Sequence, residues 1–523
     1  MTHAGSERTL GDLIERNAWL YPDKAAIVFE ERTLTFGALL TRARKLANAL
    51  LARGLTRGSR IAALAQNCPE YMELFAAVEL TGLTIVNLNW RLTPAELVPI
   101  LQDCQPDVLF CEAQFAEKAA ALKAHLGGAQ QIVVIAGEHE GAMPYEGFMG
   151  SAPSDAPTLR ARGDDTAYLI YTSGTTGKPK GVMLGNAAML QAATTISLDS
   201  GARPKDRMMI VMPLFHIGAR IEYLAFAAVG ATIHLHRQFD TNAVIDCLAR
   251  DRITVAHLAP TMVQLILDAP ALEGRDLSAL RLVHYASAPM NVTLLRRAIA
   301  RFGNIFMQLY GMTEAVVGTI LHPHQHVLDG DDSIVRRLAS AGQPFSTTTI
   351  RVARPDNSDC APEEIGEILI SCAGNMKGYW NNTALQIDVL RDGFMRTGDM
   401  GFFDREGFLF IADRKKDMIV SGGENIYSRE VEEALLTHPA VTEAAVIGVP
   451  DDKWGEAVKA CVVLRSAASA SEADLIAHVR DQIASYKKPK SIDVVDTLPR
   501  LFNGKIDKKV LREPYWASRD RRV

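Results

Sequence analysis

The sequence predicts an α/β protein with a large N-terminal domain of stacked α/β subdomains and a β-rich subdomain, followed by a small α+β C-terminal domain. Three observations support this prediction. The chain has 523 residues, 48% of them hydrophobic, which is enough for a large core and too long for one ordinary domain. Residues 40–310 alternate between strand-like and helix-like patterns. From about residue 340 the strands become short and turn residues become frequent.

The alternating part defines the predicted parallel sheets. Short apolar runs predict strands at 61–65, 85–88, 208–212, 232–235, 255–258 and 282–285. Helical patterns lie between or after them, at 69–80, 242–250, 261–267 and 293–301. Strands that are separated by helices in this way are typical of largely parallel sheets.

The later part begins with a β-rich segment. Strand-like runs lie at 350–353, 367–371, 401–404 and 408–411, and FDREGFLF (403–410) predicts a β-hairpin that turns at 405–407. We place a domain boundary at the charged cluster 413–417. Helices at 428–436 and 473–483 and a strand at 444–449 then suit a small α+β domain.

Composition excludes several classes of protein. The net charge is −5 without blocks of like charge, so nucleic-acid binding has no electrostatic support. Seven scattered cysteines without a CxxC pair indicate free thiols in a reducing compartment and no zinc site. No targeting signal and no run of about 18 apolar residues is seen, so we expect a cytoplasmic protein without a transmembrane span.

The stretch YTSGTTGKPKG (171–181) follows the apolar run 167–170 and combines three glycines, four aliphatic hydroxyls and two lysines. Glycines let backbone N–H groups approach a ligand, and hydroxyls and lysines add donors, so this composition predicts a phosphate site. A Walker loop requires GxxxxGK followed by Ser or Thr. Here Gly174 and Gly177 are three apart and Pro179 follows the lysine, so the phosphate loop is of another design.

This loop resembles the signature of the adenylate-forming superfamily, which includes acyl- and aryl-CoA synthetases, peptide-synthetase adenylation domains and beetle luciferases. Further motifs occur in the order found in that family: QLYGMTE (308–314), GEILI (366–370), KGYW (377–380), FMRTGD (394–399), DRKKDMIVSGGENIY (413–427) and PRLFNGKIDKKVLRE (499–513). The resemblance covers residues from about 20 to 513.

The resemblance implies an AMP-forming acid–thiol ligase. A carboxylic acid and ATP would give acyl-AMP and pyrophosphate, and CoA would then give acyl-CoA and AMP, so ATP, Mg²⁺ and CoA are the implied cofactors. The implied domains are an AMP-binding domain at 1–413, a hinge at 414–416 and a mobile lid domain at 417–523. A homodimer is compatible with the resemblance.

The resemblance also assigns the nucleotide site. Thr313 would donate to the α-phosphate, Glu314 would ligate Mg²⁺, and Asp399, after a turn-like RTG, would accept from the ribose hydroxyls with Arg414 nearby. As alternatives, Glu314 is a helix N-terminal acid and Asp399 is an Asx-turn residue. The predicted ATP- and AMP-binding residues are Thr172, Ser173, Gly174, Thr175, Thr176, Gly177, Lys178, Lys180, Ser287, Ala288, Pro289, Tyr310, Gly311, Met312, Thr313, Asp399 and Arg414.

Other catalytic assignments follow from the same resemblance. Lys505 would bridge the carboxylate and the α-phosphate, and His216 would gate the path of the thiol, so the predicted catalytic residues are Lys505, His216, Thr313 and Glu314. Lys416 matches the hinge position, and the predicted CoA-binding residues are Gly422, Gly423 and Glu424. Gly422 and Gly423 also suit an ordinary turn.

The acyl pocket is predicted from PLFHIGARIEYLAF (213–226) and three neighbouring positions. Its residues would be His216, Ile217, Gly218, Arg220, Ala286, Leu309 and Gly311. Gly311 stands where acetate-specific relatives have a bulky aromatic, so we expect an open pocket floor. No aspartate lies near Ile217, which argues against an amino acid. Arg220 either binds an anionic or phenolic far end of the acid or pairs structurally with Glu222 or solvent, and the second reading is favoured.

These assignments leave several substrates open. The leading prediction is a medium- or long-chain fatty acid or a cinnamate- or ferulate-like aryl acid. The alternatives are a polar acid such as a carnitine derivative or a dicarboxylate, or the loading of a carrier protein. A luciferase-like oxygenase and a catalytically silent acyl-nucleotide sensor are further readings. The presence of Lys505, Glu314 and Asp399 argues against the silent sensor.

Overall fold

The computed structural model of the chain describes residues 8–127, 131–173, 179–288, 290–465, 469–500 and 505–517. The chain divides into two units, one made of Met1–Ile350 and Ile370–Arg396 and the other of Arg351–Leu369 and Thr397–Val523. The α/β fold class is confirmed. The domain bounds 1–413 and 417–523 and the hinge at 414–416 stay predictions.

The secondary-structure elements are numbered in chain order. The strands are β1 (Ala25–Phe29), β2 (Arg32–Thr35), β3 (Arg60–Leu64), β4 (Thr84–Asn87), β5 (Val108–Glu112), β6 (Gln131–Ile135), β7 (Met143–Pro144), β8 (Thr166–Ser173), β9 (Pro179–Gly185), β10 (Arg207–Ile210), β11 (Thr232–Leu235), β12 (Val255–Leu258), β13 (Leu282–Tyr285), β14 (Phe306–Met312), β15 (Ala315–Leu321), β16 (Gln343–Pro344), β17 (Thr349–Ala353), β18 (Gly366–Ser371), β19 (Gly378–Tyr379), β20 (Leu390–Arg391), β21 (Phe394–Phe403), β22 (Leu409–Arg414), β23 (Ile419–Ser421), β24 (Glu424–Ile426), β25 (Val441–Asp451), β26 (Gly455–Leu464) and β27 (Ser491–Val494). The helices are α1 (Leu10–Leu20), α2 (Phe36–Ala52), α3 (Pro69–Thr81), α4 (Pro94–Cys104), α5 (Ala116–Leu122), α6 (Tyr145–Met149), α7 (Asn186–Asp199), α8 (Ile217–Ala227), α9 (Thr241–Arg250), α10 (Pro260–Asp268), α11 (Val292–Phe302), α12 (Asp332–Val335), α13 (Thr383–Val389), α14 (Ser428–Leu436), α15 (Glu472–Gln482) and α16 (Lys508–Trp516).

A nine-stranded sheet of the first unit has the order β16-β15-β14-β13-β12-β10-β11-β1-β2. Neighbours from β14 to β1 are parallel, and β2, β15 and β16 pair antiparallel. The strands predicted at 232–235, 255–258 and 282–285 are confirmed residue for residue. Leu258, Val283 and Tyr285 face a core that includes apolar side chains of α9, α10 and α11. Because the connections are helical, these strands run parallel, as predicted.

An eight-stranded sheet of the same unit has the order β19-β9-β8-β4-β3-β5-β6-β7. It is parallel from β8 to β7, whereas β9 pairs antiparallel with both β8 and β19. Its apolar core includes side chains of α4 and α5, such as Leu97 and Ala119. Thr93 and Glu96 form a capping box that begins α4.

Helices α3 and α8 are almost completely buried. Every residue of α3 is buried, as is every residue of α8 except Gly218. Pro69 begins α3, and Gly82, with φ of 76°, ends it in the left-handed conformation that glycine adopts easily. Charged residues on such helices need partners inside the protein, because a buried unpaired charge is costly.

The second unit is rich in β-structure. It contains most of the sheet β17-β18-β21-β20, in which β22 also pairs with β21, and the sheet β24-β23-β26-β25, in which β27 also pairs with β26. The predicted hairpin at 403–410 is confirmed, since the Asp404 N–H donates to the Phe408 carbonyl at 3.0 Å between antiparallel β21 and β22. Helices α14 and α15 pack against a core that includes Ile419 and Val446.

Two further predictions can be compared with the structure. All seven cysteines are free thiols, as predicted. Within the ranges that the structure describes, no helix combines the length and apolarity that crossing a bilayer requires.

Candidate active site

The predicted phosphate loop joins two antiparallel strands. Thr172 on β8 lies opposite Lys180 on β9, and Ser173 lies opposite Pro179. Proline at the first position of β9 fits a strand, since its missing N–H need not join the ladder there. The predicted residues Gly174, Thr175, Thr176, Gly177 and Lys178 lie outside the described residues, as does Pro289. Thr172 and Lys180 therefore stand at the base of a hairpin, not at a strand-to-helix turn.

Glu314 lies in the short turn between β14 and β15 and is 8% exposed. The reading of Glu314 as a helix N-terminal acid is therefore wrong. The Tyr379 hydroxyl donates to Glu314 Oε1 at 3.1 Å, and the Met376 N–H donates to the Glu314 carbonyl at 2.8 Å. The residues 370–380 thus hold the turn that carries the predicted Mg²⁺ ligand.

Tyr379 connects this turn to the β8–β9 hairpin that carries the predicted phosphate loop. The Lys180 ammonium lies 5.7 Å from the centre of the Tyr379 ring, within the range of a cation–π contact. Burial, and then the Glu314 carboxylate, raise the pKa of Tyr379, so its hydroxyl stays protonated and donates at neutral pH. The motif KGYW predicted family membership, but no individual role was predicted for Tyr379. The tyrosine in that motif was the available signal.

The predicted nucleotide-binding residues Ser287 and Ala288 follow β13. Ala286, Ser287 and Ala288 continue from its end, and Ser287 has φ of 72°. A non-glycine residue in the left-handed region is uncommon and costs free energy, so the surrounding structure must impose this conformation. The structure therefore places a serine in a backbone conformation that glycine would adopt more readily.

Gly311 on β14 has a structural reason to be glycine. A Cβ at this position would lie 2.4 Å from the Val316 carbonyl oxygen on β15, where the β14–β15 register shifts between Tyr310 and Met312. A larger residue at 311 therefore requires the β14–β15 hairpin to rearrange. The open pocket floor that was inferred from Gly311 stays a prediction.

His216 and Ile217 stand where the segment predicted to line the acyl pocket becomes helix α8. His216 is the N-cap residue, with φ of −94° and ψ of 140°, and its ring centre lies 4.4 Å from that of Phe215. Ile217 is buried and Gly218 is partly exposed. At the start of α8, His216 therefore lies close to Gly218, which has no side chain.

Arg220 is a structural residue with a partner that sequence reasoning missed. It is 2% exposed and forms an ion pair with Glu79 of α3, and its Nε donates to the Tyr168 hydroxyl at 3.1 Å. Its guanidinium lies 4.3 Å from the Phe75 ring centre. The prediction that it pairs with Glu222 or solvent is wrong, because the guanidinium is enclosed by residues of α3 and β8. Burial lowers the pKa of Arg220, but Glu79, together with Tyr168 and Tyr223, raises it overall.

In the second unit, Asp399 and Arg414 lie side by side. They are opposite each other on β21 and β22, with Arg414 Nε 3.3 Å from Asp399 Oδ1. Asp399 belongs to a ten-residue strand, so the predicted turn before it and the Asx-turn reading are wrong. The Asp399 N–H donates to the Thr397 hydroxyl at 3.0 Å. The antiparallel pairing explains how a carboxylate and a guanidinium from separate motifs meet.

Lys505 lies near the same pair. Lys505 is exposed, and the partial loss of its hydration and the neighbouring charges of Arg414 and Lys416 lower its pKa, while Asp399 opposes them. The structure therefore gathers Lys505, Asp399 and Arg414 within the second unit. The hinge role of Lys416 stays a prediction.

Gly422 and Gly423 form the turn between β23 and β24, ahead of Glu424. Their φ values are 62° and 87°, and two successive positive φ values are what a tight two-residue hairpin requires. A Cβ at Gly422 would meet the Trp454 ring at 2.6 Å, whereas one at Gly423 would have no described atom within 4 Å. The turn alone accounts for both glycines, and the CoA-binding role stays a prediction.

Comparisons with known proteins agree with these motifs. A sequence profile described as AMP-binding enzyme matches residues 14–380, and a profile described as AMP-binding enzyme C-terminal domain matches residues 430–505. The chain therefore belongs to the AMP-binding enzyme family. It is an AMP-forming acid–thiol ligase of the acyl- or aryl-CoA ligase kind.

Individual relatives match over nearly their whole length. The chain is similar to a feruloyl-CoA synthase of Amycolatopsis, with 37% identity over 97% of this chain and 99% of the relative. It is 36% identical to an indoleacetate–CoA ligase of Aromatoleum aromaticum, over 96% of this chain and 98% of the relative. Among solved structures, the o-succinylbenzoate CoA synthetase of Bacillus subtilis in complex with its acyl-adenylate intermediate superposes with a TM-score of 0.85 at 31% identity, covering 98% and 99% of the two chains.

Proposed function

We propose that this ligase activates an aromatic carboxylic acid of the cinnamate or arylacetate kind and transfers it to CoA. The observation that supports the proposal is that Arg220 is bound by other residues of the protein. Arg220 is the cationic residue of the segment 213–226. Its guanidinium forms an ion pair with Glu79 of α3 and donates to the hydroxyl of Tyr168 on β8. With Arg220 engaged there, Ile217, Ala286 and Leu309 leave a mainly apolar lining, which suits an aromatic ring better than a dicarboxylate. The two aryl-CoA-forming relatives support the same choice.

The first step joins the acid to AMP. A carboxylate oxygen attacks the α-phosphorus of ATP, the bond from that phosphorus to the bridging oxygen breaks, and pyrophosphate leaves. In the proposal, Thr172 and Lys180 hold the departing phosphates and Thr313 donates to the α-phosphate. Lys505 places a positive charge where negative charge develops, and a preorganised donor of this kind typically contributes about 10²–10³ in rate.

Glu314 has the chemistry of a Mg²⁺ ligand. Magnesium prefers hard oxygen donors, and the Glu314 carboxylate provides them in a turn held by Tyr379 and the Met376 N–H. When bound, the ion would neutralise charge on the phosphate oxygens. The role of Tyr379 is to orient the carboxylate, as an outer-shell donor does for a metal ligand.

The second step forms the thioester. The CoA sulfur attacks the acyl carbon, the bond from this carbon to the phosphate oxygen breaks, and AMP leaves with the electron pair. His216, at the start of α8, is proposed to gate the path of the sulfur. Asp399 is proposed to accept from the ribose hydroxyls, next to Arg414, and Gly422, Gly423 and Glu424 to border the CoA path after a rotation at Lys416.

A panel of acids tests this function. We would measure pyrophosphate and AMP release with ATP and Mg²⁺, with and without CoA, for cinnamate, 4-hydroxycinnamate, indole-3-acetate, dodecanoate and malonate. The expected result is CoA-dependent AMP release that is fastest with an aryl acid. Faster turnover of dodecanoate or malonate would overturn the aromatic assignment, and AMP release that CoA does not accelerate would overturn CoA as the acceptor.

A further inference from the structure

One face of helix α8 carries a buried polar group behind the residues assigned to the acyl pocket. Gly218, Glu222 and Phe226 are spaced by four and so share this face. Glu222 Oε2 lies 2.9 Å from His284 Nδ1, and the Phe226 and His284 rings lie 5.9 Å apart. A Cβ at Gly218 would lie 3.7 Å from His257 Cε1. This face of α8 therefore meets two histidines of the nine-stranded sheet.

The two histidines are neighbours on adjacent parallel strands. His257 on β12 pairs in register with His284 on β13. Side chains alternate along a strand, and the following residues Leu258 and Tyr285 belong to the core on the opposite face of the sheet. Both imidazoles therefore face α8. The exposed fractions are 2% for His257, 0% for His284 and 1% for Glu222.

The hydrogen-bonding capacity of this group is incompletely used. Among the described residues, neither ring nitrogen of His257 has a hydrogen-bond partner, nor has His284 Nε2. Leaving such a buried polar atom unpaired is costly, so native proteins seldom keep one without a role. A histidine that only filled space in this core could be replaced by an apolar residue of similar size without that cost.

The protonation states define what the group can bind. Burial lowers the pKa of His257, with Glu222 opposing, so its imidazole is neutral near pH 7 and has one donor and one acceptor. Burial alone would raise the pKa of Glu222, but His284 and His257 lower it overall, so this carboxylate is ionised. A neutral group that both donates and accepts a hydrogen bond complements His257, whereas a second carboxylate would be repelled by Glu222.

Small residues lie between this group and the residues predicted to line the acyl pocket. Gly218 is two residues after His216, and a Cβ on it would meet His257 Cε1 at 3.7 Å and no other described atom within 4 Å outside the neighbouring backbone of α8. Ala286 is two residues after His284. We propose that His257, with the Glu222–His284 pair beside it, binds the hydroxyl of a phenolic ring at the far end of the acid. The inference rests on the proposed function and narrows its substrate to a hydroxylated aromatic acid.

The test compares two acids that differ only in this hydroxyl. We would measure kcat/KM for 4-hydroxycinnamate and cinnamate with the full chain, ATP, Mg²⁺ and CoA. A buried hydrogen bond contributes up to about 1.5 kcal/mol, so the wild-type ratio should favour the phenol by roughly tenfold. In His257→Phe the ratio should fall towards one, because phenylalanine keeps a planar ring but has no nitrogen.

Two further variants make the test decisive. His234→Phe is the matched control, since His234 is a buried histidine of β11 that lies 3.6 Å from Asp251, and it should keep the wild-type ratio. Gly218→Val places a side chain over His257 and should also lower the ratio, which decides the matter if His257→Phe does not fold. A wild-type ratio near one, or an unchanged ratio in the folded variants, overturns the inference while the aromatic function stands. If neither acid is activated and dodecanoate is, the proposed function itself fails.

Discussion

Replacing Arg220 by methionine should destabilise the first unit and leave the preference among acids unchanged. In the folded protein Arg220 pairs with Glu79, and their side chains are 2% and 1% exposed. The Tyr168 hydroxyl also donates to Glu79. Methionine fills part of the arginine volume but removes the cation, so the Glu79 carboxylate would remain in the interior with only the tyrosine to stabilise its charge.

The expected magnitude follows from the burial of this pair. Removing one partner of a buried ion pair costs about 3–5 kcal/mol, because the remaining charge is uncompensated. Unfolding entropy is about 2 cal/mol/K per residue near 60 °C, so for a unit of roughly 380 residues this loss lowers the Tm by roughly 4–6 °C.

The loss should depend on pH through Glu79. Burial raises the pKa of Glu79 in the folded protein, and Arg220 and Tyr168 only partly oppose this. Removal of Arg220 raises that pKa further. A folded-state pKa above the unfolded one means that ionisation penalises folding at high pH and that the penalty disappears as the pH falls. The Tm deficit of Arg220→Met should therefore be larger at about pH 8 than at about pH 5.

Thermal unfolding followed by fluorescence measures these effects, and the acid panel measures specificity. The double variant Glu79→Leu/Arg220→Met is the control, because it removes both charges and should recover most of the lost Tm. A single variant with wild-type Tm and an altered order of preferred acids would refute the reasoning, since Arg220 would then contact the substrate.

Three further outcomes test the catalytic assignments. Lys505→Ala should reduce the rate of acyl-AMP formation by about 10²–10³ and spare thiolysis of supplied acyl-AMP. The control Lys509→Ala, at an exposed lysine, should change neither rate. Equal loss in both half-reactions would contradict the role of Lys505. Gly423→Asn, which tolerates positive φ, should keep ATP–pyrophosphate exchange and slow thioester formation, and a parallel fall in exchange would exclude the CoA path at this turn. Tyr379→Phe keeps the ring beside Lys180 but removes the hydrogen-bond donor to Glu314. The Mg²⁺ concentration for half-maximal ATP–pyrophosphate exchange should therefore rise about tenfold. An unchanged Mg²⁺ requirement would show that Tyr379 does not orient Glu314.

Local sequence patterns were sufficient for the fold class and for the order of the motifs. Strands 232–235, 255–258 and 282–285 and helix 428–436 have the predicted bounds, because apolar period and turn residues are local properties. The same patterns misplaced Asp399, which appeared to follow a turn. Its strand continues through Gly398, which has φ of 70° and whose carbonyl accepts from the Lys415 N–H at 2.8 Å.

The sequence by itself determined the family, the reaction class and the residues that carry the motifs. The tertiary structure decided which of these residues meet. Glu79 precedes Arg220 by 141 positions, and Tyr379 follows Glu314 by 65, so no local spacing could reveal either contact. The histidines behind α8 likewise came together only because β12 and β13 pair in register. Such partners are chosen by packing between distant segments, since a buried charge or donor is stabilised by whichever group the fold brings within reach.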